Sequence, residues 1–341
     1  MTSLLLRRAR TTLLGLTLAI TAAQPVMAQS VLRDSETEAL FKDISKPLIE
    51  AAKLDPKSVS IVLLNDSEIN AFVATGQTVY IQSGLLAAAD NVNQLQGVIA
   101  HELGHVAGGH SIRIYEGEAV ATKISLLSLL LGAAALAAGA GEAGMGIIAA
   151  GQQAAQGKFF SFSRAQESSA DLAGAHYLTT AGISGKGTLE FFQKLQNQEY
   201  RRAIARTDDY ASTHPLNSDR IQALEQIYKH DPAWNKPVDP LLEARFERVK
   251  AKLLGYVDPK RATIIYPESN QTIPAHYARA YAYHLGAYPD KAAQEADTLL
   301  RLAPNDPLSS SSRDRFCSRA ASRARRSPRF ASLWPAPPTS R

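Results

Sequence analysis

Leu95, Val98, Ile99, Leu103 and Val106 recur at helical spacing and predict a helix with one buried apolar face. Asn93 with Gln96 fits an N-terminal cap, and Gly108-Gly109 fits its end. Upstream, Leu40, Ile44 and Leu48 share a face with Phe41 across residues 35–54, where Pro47 predicts a kink. The period then shortens. Residues 58–64 read as a strand, and 71–74 with 78–81 read as a hairpin about Thr75-Gly76-Gln77. An edge strand of such a sheet can pair with an extended peptide.

Between Ile124 and Gly141 the chain carries no charge. That length permits a transmembrane helix. However, Gly132, Gly139, Gly141, Gly144 and Gly146 loosen it, and Glu142 follows. We expect two helices with a glycine-rich bend across 111–160, a hairpin that covers a cleft or touches a membrane surface. Residues 163–180 are compatible with a helix, and Ile221, Leu224 and Ile227 mark another. Pro237 to Pro240 reads as a linker, followed by a helix over 243–254. In residues 273–306, Ala280, Tyr283, Ala292 and Pro304 fall at the spacings of one tetratricopeptide repeat.

Composition changes the picture at both ends. Arg7, Arg8 and Arg10, then the apolar Leu13–Ala23, then Val26-Met27-Ala28 predict a secretory signal cleaved after Ala28. An uncleaved anchor is the alternative. From Ser309 the chain turns to Ser, Arg, Ala and Pro, with eight arginines and no lysine. It reads as a disordered basic tail or the product of a frameshift. The two ends hold all the excess positive charge: the whole chain is +5, the remainder −5. The basic balance therefore gives no support to a nucleic-acid partner. Cys317, the single cysteine, lies in the tail, so the body has neither disulfide nor thiolate metal site. The expected divisions are a signal (1–28), a catalytic domain (29–235), a repeat region (236–308) and the tail (309–341).

Candidate chemistry centres on His101-Glu102-Leu103-Gly104-His105. Helical positions i and i+4 lie on one face, so His101 and His105 can chelate one cation. Glu102 points to a neighbouring sector and can reach a water there. This is the His-Glu-x-x-His signature of zinc hydrolases. Two histidines leave such a zinc one protein ligand short. Glu167 and Asp171 are again i and i+4; one can bind the metal while the other orients a ligand histidine. His110 is a rival ligand, but it comes one residue early for the metzincin register. In Thr213-His214-Pro215 and at Arg220, a loop histidine and an arginine can approach from the open side, to hold an oxyanion or to fill the vacant position.

In this order, and with Ile69-Asn70-Ala71-Phe72 and Ser83-Gly84-Leu85-Leu86, these motifs resemble the gluzincin family of the CAAX prenyl protease and the heat-shock protease HtpX over residues 35–230. The resemblance implies an α+β, mostly helical fold. A zincin-like metalloprotease domain with a small β-sheet would precede a truncated, α-helical TPR-like module. It implies one zinc per chain on His101, His105 and Glu167, Glu102 as catalytic base, and Asp171 behind the ligands. His214 and Arg220 would stand near the substrate or transition state. It further implies a periplasmic endopeptidase for unfolded or misassembled outer-membrane proteins, with repeats that meet the outer-membrane assembly machinery. The alternative is an assembly chaperone or scaffold whose protease site is normally closed. Integral-membrane relatives carry several long apolar segments, whereas this chain has at most one after its signal.

Overall fold

The computed structural model describes residues 30–74, 76–202, 214 and 218–304. The expected signal, its cleavage site and the arginine-rich tail lie outside the described residues. In chain order the elements begin with β1 (Ser30–Leu32), α1 (Ser35–Ala51), β2 (Ser60–Asn65), β3 (Ala71–Val73) and β4 (Thr78–Gln82). Then come α2 (Ser83–Ala88), α3 (Val92–Gly108), α4 (His110–Ala137), α5 (Gly141–Ala181) and α6 (Lys186–Arg202). The remainder is α7 (Ser218–Lys229), α8 (Pro240–Val257), α9 (Pro259–Ile265), α10 (Ile273–Leu285) and α11 (Pro289–Leu302). The described chain is mostly helical with one small mixed sheet, as expected.

Local chemistry sets the helix ends. Asp34 caps α1 by accepting from the Thr37 N–H, and Glu36 and Glu38 sit in the positive first turn. The helix continues through Pro47 as one element. For α3 the cap is Asn91, which accepts from Gln94 N, and not Asn93. Asn93 instead binds across to another segment, donating to Ser184 O and accepting from Gly187 N. A cap and a buried tertiary tie two residues apart look alike in sequence.

The sheet order is β1-β2-β4-β3. β3 and β4 form the expected antiparallel pair, with Phe72 opposite Tyr80. β2 runs parallel to β4, and the short β1 closes the other side. β3 is therefore a free edge. Gln82 donates to Asn70 O on the paired side. The Ala71 carbonyl, one residue on, faces away from β4, because successive backbone groups alternate along a strand.

One large core joins the sheet, α1, α3, α5 and α6 through Phe41, Leu48, Val79, Ile81, Ile99, Leu178 and Phe192. Phe246 and Val249 of α8 pack into the same core, so the apolar interior continues past residue 236. The last two helices form an antiparallel pair around Tyr277, Ala280, Ala296 and Leu299. α4 and α5 form the expected hairpin, bent at residues 138–140, and most of its length is exposed.

Candidate metal centre

α3 and α5 cross where their side chains are smallest. A Cβ on Gly104 would lie 2.6 Å from Ala170 O, and one on Gly174 would lie 3.1 Å from Ala100. This approach brings the two motifs into register: Glu167 and Asp171, one turn apart on α5, face His101 and His105 on α3. Replacing Gly104 by alanine should force the helices apart, costing about 1–3 kcal/mol. The expected result is a lower melting temperature together with weaker metal retention, measured by thermal unfolding and metal analysis.

Three expected ligands converge. His105 Nε2 lies 3.1 Å from His101 Nε2. The Glu167 carboxylate reaches both rings, at 3.4 Å from His101 Nε2 and 3.3 Å from His105 Nε2. His214 completes the group, with Nδ1 3.1 Å from Glu167 Oε1 and 3.4 Å from His101 Nε2. One donor atom from each of the four residues lies within 4.8 Å of the others, and all four residues are buried. Burying so many polar groups together is costly unless something binds them.

Each group is also held from behind. Asp171 Oδ1 is 3.0 Å from His101 Nδ1. Arg220 grips Asp171 with Nε at 2.6 Å and Nη2 at 2.8 Å, and its Nη1 lies 3.1 Å from Glu167 Oε2. The guanidinium is buried and committed to these two carboxylates. His110 Nδ1 lies 3.0 Å from His105 Nδ1. The His110 ring occupies the space beside Gly108, whose Cβ would come within 2.4 Å of it. Gly109 at φ 62 makes the left-handed turn that folds α4 back to put it there.

The charges follow this geometry. Burial opposes the positive form of His101, but hydrogen bonds to Asp171 and Glu167 win and push it up to about 10. Burial would raise Glu167, yet the hydrogen bonds of His101, His105 and His214 hold it far below the usual carboxylate range. Asp171 is depressed against burial by Arg220 and His101. Burial drives His105 down, and burial together with His105 pushes His110 down to about 4. A carboxylate held ionised between imidazoles is what a divalent cation requires.

Glu102 stands apart. It is 0% exposed, and neither carboxylate oxygen has a hydrogen-bond partner among the described residues. His214 Nε2 is 3.6 Å from its Oε1. A buried, unsatisfied carboxylate next to four ligand atoms is a group reserved for chemistry. His214 also reaches the sheet, with Nε2 3.2 Å from Ala71 O, the outward carbonyl of the free edge.

Residues expected from the sequence therefore meet at one place: His101, Glu102, His105, Glu167, Asp171, His214 and Arg220. The sequence reading missed two participants. The sequence pattern points to His110 only as a rival ligand, and its partnership with the far nitrogen of His105 depends on the turn at Gly109. The Ala71 carbonyl is backbone and leaves no side-chain signal. Pro215 lies outside the described residues.

A buried His-His-Glu donor set on two crossing helices, beside an unpaired glutamate and the free edge of a small sheet, defines a metal-dependent hydrolase class. The family model "Peptidase family M48" matches residues 9–228, and the chain belongs to that family. The chain is 29% identical over 262 residues to the putative beta-barrel assembly-enhancing protease of Vibrio cholerae, covering 75% of this chain and 53% of that protein. It is 31% identical over 159 residues to the beta-barrel assembly-enhancing protease of Escherichia coli, covering 47% of this chain and 32% of the relative. It is 31% identical over 170 residues to the E. coli metalloprotease LoiP, covering 48% of this chain and 60% of that one. The chain thus spans between about a third and three-fifths of these relatives.

Proposed function

We propose that the chain is a zinc-dependent endopeptidase of the cell envelope, acting on extended segments of unfolded or misassembled outer-membrane proteins. The observation that carries this reading is the unpaired, buried Glu102 beside the convergent His101, His105 and Glu167. Zinc held by those three residues supplies Lewis acidity, which makes water a nucleophile near neutral pH and polarises a carbonyl. Glu102 takes the proton from the attacking water. It then passes that proton to the amine as the peptide C–N bond breaks. His101 would present Nε2 to the metal, with its Nδ1 held 3.0 Å from Asp171 Oδ1. His105 likewise uses Nε2, with its Nδ1–H donated to His110.

Arg220 is a positioning residue in this scheme: it fixes Asp171 and Glu167. Oxyanion stabilisation would then be left to the bound metal, and His214 would control access to it. The substrate strand lies along β3, where the Ala71 carbonyl is a ready acceptor. The envelope location and the substrate class draw on the beta-barrel assembly-enhancing relatives. The α10–α11 pair would serve as a truncated TPR-like module that meets assembly machinery.

A second reading rests on His214, which stands as a fourth donor and also blocks the Ala71 carbonyl. On this reading the site is normally closed and the protein works mainly as a chaperone or scaffold through its helical pairs. One experiment separates the two. Casein cleavage and bound zinc are measured for wild type and His214→Ala. Closure worth only about 1.4 kcal/mol hides nine-tenths of the sites. Cleavage by the variant should therefore rise about tenfold with one zinc retained, and chelation should abolish it. A variant that holds zinc but cuts nothing would rule out the endopeptidase reading.

A further inference from the structure

The α4–α5 hairpin is the largest feature that the peptidase reading leaves unused. Across residues 124–157 the only charged side chain is Glu142, at the bend. Leu126, Leu127, Leu129, Leu130, Leu131 and Met145 are all exposed, Leu130 by 69%. At about 100° per residue, the five leucines on α4 cover more than half of its circumference. The remaining arc packs on α5, where Ser128 meets Gly151 and Gly132 meets Gly144. A protein partner needs one apolar stripe; a helix apolar on every free side matches a lipid environment.

The uncharged part of α4, Ile124–Ala137, forms about 21 Å of helix before the bend. That is enough to pass one leaflet of a hydrocarbon layer about 30 Å thick. Both arms are continuous helices, so their interior N–H and C=O groups pair along the helix, as a lipid environment demands. Ser125 Oγ donates to Gln152 Oε1, and Gly117 packs against Phe162, so Lys123 and Lys158 stand at the same end of the hairpin. Both lysines are exposed where the uncharged stretch begins. They are placed for anionic headgroups, with exposed Phe160 beside them at interfacial depth. The exposed acids Glu116 and Glu118 lie beyond Lys123, on the side of the globule.

We propose that the hairpin beyond Lys123 and Lys158 inserts into an anionic lipid bilayer and holds the metal centre close to the membrane surface. Glu167 is nine residues past Lys158 on the same unbroken helix, so the site would stand about 14 Å from the headgroup level. The surface then offered to the catalytic groups is the one a nascent or stalled membrane protein occupies.

The test uses the full chain loaded with zinc and vesicles of phosphatidylethanolamine with phosphatidylglycerol. Wild type should float with the vesicles and bind pure phosphatidylcholine less well. Leu127→Asp with Leu130→Asp, both at exposed positions, should abolish flotation while casein cleavage and helical content stay at the wild-type level. Tryptophan placed at position 130 should be quenched by brominated acyl chains. Failure of wild type to float would overturn the proposal, as would flotation that survives the double aspartate variant. Concentration-dependent self-association lost in that variant, without vesicle binding, would assign the leucines to a second copy instead. Lipid binding is read without any peptidase step. Intact flotation with no cleavage would therefore count against the catalytic reading alone.

Discussion

Glu102→Gln is expected to retain one zinc per chain and to lose at least about a hundredfold in peptide cleavage, the lower range for removal of a general base. The amide is nearly isosteric, so the packing around this fully buried side chain survives. What disappears is the ability to accept a proton. The wild-type carboxylate has no hydrogen-bond partner among the described residues, and His214 Nε2 stands 3.6 Å from Oε1, so little direct support is lost with the carboxylate. The variant should unfold close to wild type, because glutamine keeps the volume of a side chain that makes no hydrogen bond among the described residues. Zinc by elemental analysis, casein cleavage and thermal unfolding on one preparation check all three statements. Wild-type cleavage by the glutamine variant would remove Glu102 from the reaction.

Arg220→Met is expected to give the largest loss of stability. Its guanidinium is shared between Asp171 and Glu167, both buried. Methionine fills much of the volume but leaves Asp171 without its main counter-charge. Breaking a buried pair by removing one partner costs about 3–5 kcal/mol. Bound zinc would compensate Glu167 but not Asp171, so the loss should be greatest in chelator. Denaturant unfolding with and without zinc measures both parts. Arg220→Lys keeps the charge but not the two-pronged grip, and should recover only part of the loss. If Arg220 contacted substrate alone, neither variant would shift unfolding.

The sequence made the metal centre legible because its ligands obey helical spacing. His101 with His105, and Glu167 with Asp171, each sit one turn apart, and that arithmetic needs no tertiary knowledge. The strand pair at 71–81 and the glycine-rich hairpin were legible for the same reason: period and turn chemistry are local. Asn91 and Asn93 show the limit. Both are asparagines at the start of α3, and only packing decides which one caps the helix and which reaches Ser184. β1 is three residues long and too short to carry a period. The parallel pairing of β2 with β4 depends on contacts distant in sequence. Arg220 read as a group approaching the reaction, whereas its bond to Asp171 follows from where α7 lands on α5. The continuation of the core into Phe246 and Val249 was equally hidden, because a proline-flanked linker looks the same whether or not the next helix docks.

His214 touches two things at once, the ligand group and the outward carbonyl of Ala71. Because it belongs to the chain, it acts as a tethered competitor for both. A competitor tethered within the same chain acts at an effective concentration on the order of millimolar. A single backbone contact from a passing peptide cannot displace it. A segment able to lie along several residues of the edge can, and it clears both positions in the same movement. On the proposed reading, folded proteins, whose strands are already paired, would not reach that threshold. Selectivity for the unfolded would then come from one ring and would need no sequence preference in the substrate.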